Sequence, residues 1–157
     1  MKIRQFRATD TPQLIRLFKD TVHMTCRNDY SSEQLSVWAP DQIDAARWTL
    51  RYEHSFTIVA EEDGIVVGFS NLEANGNIDM LYVHANRQGS GIGKLLLKKL
   101  EQVARSQGLY QLTSDVSITA RPFFLKMGFK IDKEYMKEVR GVAFRNTSMS
   151  KALSTAA

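Results

Sequence analysis

A glycine-rich segment, residues 88–94, follows a strand-like stretch at 78–83 and opens a long amphipathic stretch rich in leucine. The N–H groups in the first turn of an α-helix have no intrahelical acceptor, and the helix dipole makes that end electropositive. Glycines also let a ligand come close to the backbone. The pattern therefore predicts a turn that binds a phosphate group through backbone N–H groups at the start of a helix.

Two common phosphate-binding motifs do not fit this spacing. A P-loop requires glycine where this chain has Gln88, and Ser or Thr where it has Leu95. The dinucleotide fingerprint requires a third glycine where this chain has Lys94. A third pattern, Q/R-x-x-G-x-G/A, is met by Gln88, Gly91 and Gly93. The alternative is an ordinary strand-to-helix connection whose glycines only relieve steric strain.

The composition is typical of one globular domain. The chain has 157 residues, a net charge of +4, one cysteine and three histidines. It shows no apolar run of membrane-spanning length and no signal-peptide pattern, so we expect a cytoplasmic protein with no membrane partner. Cys26 and the scattered histidines have no metal-ligand spacing, so we expect no metal. Basic residues alternate with acidic ones, which argues against a nucleic-acid partner.

Hydrophobic periodicity and turn residues predict the elements that hold the glycine-rich segment. We expect seven strands, at 2–7, 56–61, 65–72, 77–83, 110–116, 129–139 and 142–150. We expect five helices: one capped by Thr9 or Asp10, one that runs from Ser31 or Ser32 to Trp38, and three at 41–52, 91–107 and 119–127.

The turns between the middle strands predict the fold class. Asp63-Gly64 and Asn75-Gly76 favour tight hairpins, so the strands around them are expected to run antiparallel. This excludes the parallel βαβ halves of a dinucleotide-binding fold. The sequence therefore predicts an α+β protein with a sheet of mixed direction. We expect a single domain at 1–153 and a disordered tail at 154–157.

A second motif follows the predicted fifth strand. Residues 120–129 match the frame A-x-x-[FL]-Y-x-x-x-G-F, apart from Phe124 in place of tyrosine. With Q/R-x-x-G-x-G/A and the order of elements, this makes almost the whole chain similar to the GNAT superfamily of acetyl-CoA-dependent N-acetyltransferases. More narrowly, the chain resembles a small bacterial, YafP-like branch, on residues 29–31, 38–40 and 78–83, Ser117 with Ala120, and 140–141.

The resemblance implies a fold and a donor site. It implies a central mixed, mostly antiparallel seven-stranded sheet flanked by helices and splayed between the fourth and fifth strands. The pantetheine arm of acetyl-CoA is then expected between these strands, near Ser117 and Phe124. Backbone N–H groups near Leu81, Tyr82 and Val83 are expected to polarise the acetyl carbonyl. The pyrophosphate is expected on seven consecutive residues: Gln88, Gly89, Ser90, Gly91, Ile92, Gly93 and Lys94.

Two carboxylates fall on strands that line the expected site: Asp79, which we rank first as general base, and Asp115. An alkylamine acceptor must lose a proton before it attacks, because its ammonium form dominates at neutral pH. An arylamine or a hydrazine is already neutral and needs no such base. Each carboxylate could instead face solvent or bind a neighbouring backbone group.

The residue that protonates the departing thiolate is not evident. Phe124 stands where many members of the superfamily have a tyrosine, and phenylalanine has no proton to donate. Tyr82, Tyr135, Ser117 or a water molecule must substitute for it. Otherwise the thiolate leaves unassisted, which the low pKa of a thiol permits.

The acceptor is expected to contact His23, Tyr30 and Trp38, which fall in the segment that covers the acceptor site in relatives. We therefore predict an N-acetyltransferase that acetylates a primary amine of a small molecule by direct attack in a ternary complex. A protein or peptide acetyltransferase could use the same site. Phe124 also suggests a non-catalytic acyl-CoA sensor. Both alternatives stay open, as does a homodimer.

Overall fold

The computed structural model describes residues 1–154, and these form one central sheet with helices on both faces. The strands are β1 (Lys2–Gln5), β2 (Phe56–Glu62), β3 (Ile65–Leu72), β4 (Asn77–Val83), β5 (Gln111–Val116), β6 (Lys130–Val139) and β7 (Val142–Ala152). The helices are α1 (Thr11–Thr25), α2 (Ser32–Trp38), α3 (Ala45–Glu53), α4 (Ile92–Ser106) and α5 (Arg121–Lys126). Short 3₁₀ turns lie at Ala8–Asp10 and Ala85–Arg87. The strands and α-helices follow the predicted order.

The sheet has the strand order β1-β2-β3-β4-β5-β7-β6, and its neighbours run antiparallel except for β4 and β5. This parallel pair is short, because only Asn77 pairs with Thr113 and Ile78 with Ser114. Within the described residues, positions 79–83 of β4 have no strand partner on this side. The predicted α+β class, the mixed sheet and the splay between the fourth and fifth strands are confirmed.

Successive side chains of a strand point to opposite faces, and in the central strands they enter two separate cores. In β2, Ile58 and Ala60 pack with the leucines of α4, whereas Val59 packs with residues of α1 on the other face. In β4, Ile78 belongs to the first of these cores and Met80 to the second. The strand that ends at the glycine-rich turn is therefore held from both faces.

The third helix begins later than the sequence predicted. Asp44 is its N-cap, and its carboxylate accepts a hydrogen bond from Arg47 N at 3.2 Å. A capping residue has non-helical backbone angles, so α3 starts at Ala45 and not at Asp41.

The sequence also predicted the end of β1 too late and the start of α5 too early. At each of these places a side chain forms a hydrogen bond with the backbone. Phe6 N still donates to Thr57 O at 2.9 Å, but the Asp10 carboxylate accepts a hydrogen bond from Arg7 N at 2.7 Å, so the chain turns and β1 does not extend to Arg7. The Ser117 hydroxyl accepts a hydrogen bond from Ala120 N at 3.1 Å, and α5 begins only after this turn. Such local bonds compete with regular secondary structure.

The single domain at 1–153 stays a prediction. Of the tail expected at 154–157, residues 155–157 lie outside the described residues. None of the described helices is both long enough and apolar enough to cross a membrane.

Candidate active site

A cavity of about 1320 Å³ opens where β4 and β5 separate. Its lining comes from both strands, the glycine-rich turn, α2, α3 and the β6–β7 hairpin. Most residues that the sequence predicted for the site line it: Tyr30, Trp38, Asp79, Leu81, Tyr82, Val83, Gln88, Gly89, Gly91, Ile92, Gly93, Lys94, Asp115, Ser117 and Phe124. Three of the predicted residues, all of them in the described part of the chain, do not line it: Ser90, His23 and Tyr135.

The glycine-rich turn leaves the start of α4 open. Gly91 is the N-cap of α4, with a φ of 87°, and it carries no side chain that could cap the helix. A Cβ atom placed on Gly89 or Gly91 would meet no atom within 4 Å among the described residues. The turn therefore presents an electropositive helix end, uncapped N–H groups and the exposed Lys94 to the cavity. This arrangement suits a phosphate group.

Three other residues of the segment position the turn. Gln88 Nε2 donates to Val83 O at 2.7 Å and ties the turn to the end of β4. The Ser90 hydroxyl donates to a carbonyl oxygen of the preceding 3₁₀ turn at 2.5 Å. A Cβ atom on Gly93 would lie 3.2 Å from the Phe123 ring, so glycine here lets α4 and α5 approach each other.

The end of β4 directs backbone N–H groups into the gap. His84 N donates to Val67 O at 2.8 Å, so residues in phase with His84 bond to β3. Backbone groups of successive residues alternate in direction, and the N–H groups of Leu81 and Val83 therefore point away from β3. Val83 O has the same direction, since it accepts from Gln88. These two amides face the gap in which the sequence predicted donors to an acetyl carbonyl.

A β-bulge at Asp79 interrupts the pairing of β4 with β3. Asn71 pairs with Met80 but Leu72 pairs with Ile78, which leaves Asp79 as the extra residue. The fully buried Asn71 side chain stabilises the bulge. Its Oδ1 accepts from Met80 N at 2.9 Å, and its Nδ2 donates to Asp79 Oδ2 at 3.0 Å. The bulge and Asn71 together fix the direction of the Asp79 carboxylate.

The Asp79 carboxylate is paired with the Arg51 guanidinium. Arg51 Nε donates to Asp79 Oδ2 at 2.7 Å and Arg51 Nη2 donates to Oδ1, which makes the pair bidentate. The Asp79 side chain is 15% exposed and the Arg51 side chain 45% exposed. Asp79 thus lines the cavity as expected, but Arg51 covers it. Sequence reasoning missed Arg51 and Asn71, because no motif surrounds either of them.

Asp115, the second candidate base, lies on β5 and is also paired. Its Oδ2 accepts from Lys137 Nζ at 3.3 Å and from Asn146 Nδ2 at 3.1 Å. Burial, with Asp115 as the second cause, raises the pKa of Tyr135 to about 12. Tyr135 is not among the described residues that line the cavity. It therefore does not reach the departing thiolate, which it was predicted to protonate as one of several candidates.

Tyr82 combines an aromatic core position with access to the cavity. Its ring packs edge-on against Phe18, with ring centroids 5.1 Å apart, and stacks on Phe69 at 5.8 Å. Burial, reinforced by the neighbouring Cys26 thiol, raises the pKa of Tyr82 well above its ordinary value. The phenol therefore keeps its proton, so it can donate a hydrogen bond but does not act as a base.

Tyr30 and Trp38 form an aromatic wall of the cavity, whereas His23 faces elsewhere. The Tyr30 and Trp38 ring centroids lie 5.1 Å apart. The Tyr30 hydroxyl accepts from Ile118 N at 2.7 Å, which ties the wall to the loop after β5. His23 is exposed, and its Nε2 lies 2.9 Å from Ala39 O. His23 therefore contacts the end of α2 and not the cavity.

Comparison with known proteins agrees with this geometry. The family model of the acetyltransferase (GNAT) domain matches residues 26–153. The chain is 39% identical to the uncharacterized N-acetyltransferase YafP of Escherichia coli K12 over 150 residues, which are 95% of this chain and 94% of that protein. The chain belongs to the GNAT acetyltransferase family. The predicted acetyl-CoA-dependent N-acetyltransferase class is thereby confirmed.

Solved structures show the same fold for this acetyltransferase. A GCN5-related N-acetyltransferase from Rhodopseudomonas palustris is 32% identical, with a TM-score of 0.93 over 97% of this chain and 95% of that chain. The PaiA N-acetyltransferase from Thermoplasma acidophilum, solved in complex with coenzyme A, is 21% identical. Its TM-score is 0.80 over 96% of this chain and 98% of that chain. At that identity it shows the fold alone.

Within the acetyltransferase motif, Phe124 stands where the family usually has tyrosine, and its ring is packed among other aromatic rings. Phe124 is 3% exposed, and its ring centroid lies 5.5 Å from Phe123 and 5.0 Å from Phe129. Ser117 lines the cavity, and its hydroxyl oxygen already accepts from Ala120 N. A hydroxyl that accepts one bond keeps its own hydrogen available. Ser117 can therefore still donate to a group in the gap.

The acetyltransferase site holds no metal-binding group among residues 1–154, where no three His, Cys, Asp or Glu side chains converge. Cys26 lines the cavity but is only 4% exposed. Burial raises the pKa of its thiol, which favours packing over nucleophilic attack.

Proposed function

We propose that this acetyltransferase transfers the acetyl group of acetyl-CoA to a primary amine of a small molecule, by direct attack in a ternary complex. One observation carries the proposal: a single cavity is lined by the open start of α4, the gap-facing amides of β4 and the Asp79 carboxylate. Donor and acceptor sites that share one cavity allow direct transfer, with no acyl-enzyme. The buried Cys26 is a poor candidate for such an intermediate.

The donor end has the groups that acetyl-CoA requires. The turn from Gln88 to Lys94 supplies N–H groups and one ammonium group for the pyrophosphate. Ser117 and Phe124 line the gap where the pantetheine arm would lie. When bound, acetyl-CoA supplies a thioester, which is an acyl group activated toward amines. The fold neighbour PaiA, solved with coenzyme A, supports this assignment.

The gap-facing amides of Leu81 and Val83 would stabilise the negative charge that develops on the acetyl oxygen during attack. A preorganised donor of this kind lowers a barrier by roughly 3–4 kcal/mol. Because these donors are backbone groups of a strand packed on both faces, they need no rearrangement during the reaction. The Leu81 and Val83 side chains pack against the core on the α4 face and hold this backbone in place.

Asp79 is the general base in this proposal, and Asp115 is the second candidate. Asp79 lies two residues before Leu81 on β4, and Asn71 holds its carboxylate toward the acceptor side. Tyr82 keeps its proton, so its place in the mechanism is that of a hydrogen-bond donor to the departing thiolate. It would take the role left open by Phe124.

The shape of the acceptor end favours a small molecule over a protein segment. Arg140 Nη2 donates to Val37 O at 3.0 Å, and Gln34 Nε2 donates to Ala143 O at 2.9 Å. These bonds join α2 to the β6–β7 hairpin across one side of the cavity. A peptide acceptor that entered from this side would have to break these bonds. A homodimer stays a prediction.

The test compares Asp79→Asn with the wild type on two acceptors, an alkylamine and a hydrazine. Positioned proton transfer contributes roughly a hundredfold. We expect about that loss of kcat/KM with benzylamine and little loss with phenylhydrazine, which is already neutral. Raising the pH should partly restore turnover of benzylamine.

Asp115→Asn is the matched variant, because its carboxylate is also paired with a cation on the cavity wall. If it shows the selective loss instead, Asp115 is the base. Equal losses on both acceptors in both variants, with lower melting temperatures, would assign both carboxylates to packing. Binding of acetyl-CoA without acetylation of any amine in a broad panel would favour the sensor.

A further inference from the structure

Arg51 and Asp79 form a wall between two cavities. Both residues line the active-site cavity, and both also line a second opening of about 500 Å³. The second opening lies beside the β3–β4 hairpin, and His54, Glu73 and Asn75 are among its lining residues. The Arg51–Asp79 pair therefore borders both the active-site cavity and the opening beside the β3–β4 hairpin.

While Arg51 is in place, little of the Asp79 carboxylate is available to an acceptor. A carboxylate offers about four lone-pair sites, and Arg51 takes two of them while Asn71 takes a third. The ammonium group of an acceptor and the guanidinium group of Arg51 both donate hydrogen bonds, so they compete for the Asp79 carboxylate oxygens. One site remains for a cationic acceptor that uses Asp79 as its base, and displacement of Arg51 would free two more.

Asp79 does not need Arg51 to keep its position. Asn71 Nδ2 donates to both Asp79 Oδ2 and Ser55 Oγ, each at 3.0 Å, and Asn71 Oδ1 accepts from Met80 N. All three bonds involve the fully buried Asn71 side chain, and none of them uses the Arg51 guanidinium. If the guanidinium leaves, the carboxylate would then stay aimed at the cavity with two sites vacated.

A second carboxylate, that of Glu73, lines the same opening as Arg51. Burial lowers the pKa of Arg51, but Asp79 and, more weakly, Glu73 outweigh burial and raise it. Glu73 lines the second cavity together with Arg51. The Arg51 side chain is 45% exposed and lines the second opening, so we expect it to have room to rotate toward Glu73.

We propose that the Arg51 guanidinium occupies the place of the acceptor ammonium on Asp79 and moves to Glu73 when a cationic acceptor binds. Arg51 is thus a specificity-determining residue, which weakens the binding of cationic amines relative to neutral ones. The inference rests on the proposed role of Asp79 at the acceptor site.

The kinetic test measures kcat/KM of Arg51→Gln with benzylamine and with phenylhydrazine. Removal of a half-exposed ion pair changes affinity by about fivefold. We expect KM for benzylamine to fall by about that factor, with little change for phenylhydrazine. Glu73→Gln removes the alternative partner of Arg51 and should raise KM for benzylamine. Equal losses on both acceptors in Arg51→Gln would overturn the proposal.

Arg47→Gln is the control for net charge. Arg47 lies one turn before Arg51 on α3 and also lines the active-site cavity. If KM for benzylamine falls by the same factor in Arg47→Gln, the effect is one of general electrostatics, and the proposed movement of Arg51 from Asp79 to Glu73 is overturned.

A second measurement does not depend on turnover. In coenzyme A-saturated protein labelled with ¹⁵N-arginine, benzylamine, butylamine and spermidine are titrated while the Nε–H signals are followed. The Arg51 signal should shift and lose protection from exchange with water. The Arg4 signal should not, because Arg4 pairs with Asp10 and Glu61, and its side chain is only 13% exposed.

These outcomes separate the two proposals. An Arg51 signal that stays unchanged with all three amines overturns the exchange of partners, even where Asp79→Asn shows its selective loss. A shifted Arg51 signal without acetylation of any amine supports the cation site and counts against the proposed function.

Discussion

The two ends of the cavity are built in different ways. The donor end comes from one continuous stretch, from β4 through the glycine-rich turn into α4, and its chemistry is carried by backbone N–H groups. The acceptor end comes from side chains of separate elements: Asp79 on β4, Arg51 on α3, Asn71 on β3 and Lys137 on β6. A backbone site leaves a short local pattern in the sequence, whereas a side-chain site assembled by the fold leaves none.

This difference predicts how each end responds to substitution. At the donor end, a change matters when it alters the path or the access of the backbone, so the glycines are sensitive and most side chains are not. At the acceptor end, Asp79 and Asp115 are each paired with a cation, so we expect one substitution to change the choice of acceptor. We therefore expect all-or-none losses at the donor end and graded changes at the acceptor end.

The largest effect is expected for Gly91→Asp. Aspartate is a favoured N-cap, so its carboxylate would bind the N–H groups that the pyrophosphate needs and would repel the phosphates. The φ of 87° at Gly91 adds backbone strain of about 1 kcal/mol. Because each charge-assisted bond is worth a few kcal/mol, we expect coenzyme A affinity to fall by about a hundredfold or more in calorimetry.

Gly64→Asp is the matched control, since Gly64 has a φ of 80°, equal open space and a position in the β2–β3 turn. It should lose similar stability but bind coenzyme A normally. Lys94→Ala should weaken binding only a few-fold, as expected for one exposed charge. Unchanged affinity in Gly91→Asp would remove the basis of the phosphate site and erase the contrast between the two ends.

Much of the fold could be predicted because its boundaries are local. The hairpin turns Asp63-Gly64 and Arg140-Gly141 have positive φ at both residues, 52° and 80° in the first and 47° and 80° in the second. Such turns constrain neighbouring strands to run antiparallel, and the leucine periodicity of α4 is readable in the same way. The late start of α3 was missed, because the cap at Asp44 competes with an equally plausible Asp41.

The acceptor site could be predicted only in part. Asp79 was recognised as a carboxylate within an apolar strand, but its partner Arg51 is 28 residues away in the chain. The β-bulge that aims Asp79 depends on the register between β3 and β4, which has no local signal. His23 was placed with the acceptor by its position in the chain, yet its ring contacts Ala39 O and does not line the cavity.

A smaller effect is expected for Tyr82→Phe, which removes a hydroxyl and keeps the ring in its core. If Tyr82 donates to the departing thiolate, kcat should fall by about tenfold, which is less than a full general-acid effect because a thiolate is a good leaving group. Steady-state kinetics with saturating acetyl-CoA measure this loss. Tyr135→Phe is the control, since Tyr135 does not line the cavity among the described residues. An unchanged kcat would show that the thiolate leaves without help from Tyr82.

The smallest effect concerns the aromatic packing beneath the acceptor end. Tyr52 is 1% exposed, its ring packs against Trp48 and Phe69 at 5.5 and 5.8 Å, and its hydroxyl has no partner within residues 1–154. Burial raises the pKa of Tyr52 above the ordinary value of about 10. The folded state therefore holds this proton more tightly than the unfolded state. The contribution of Tyr52 to the free energy of unfolding is fully present below about pH 10 and is lost as the pH rises above that value.

Tyr52→Phe should remove this alkaline loss while it keeps the ring packing. Near neutral pH it should leave the free energy of unfolding unchanged or raise it by up to about 1 kcal/mol, because a buried hydroxyl without a partner is costly. Urea unfolding at neutral pH and at about pH 11 measures both effects. Tyr110→Phe, at a residue 75% exposed, controls for tyrosine ionisation in general. A large loss of stability or of acceptor turnover in Tyr52→Phe would mean that the hydroxyl has a polar role. The acceptor end would then extend deeper into the core than the Arg51–Asp79 pair.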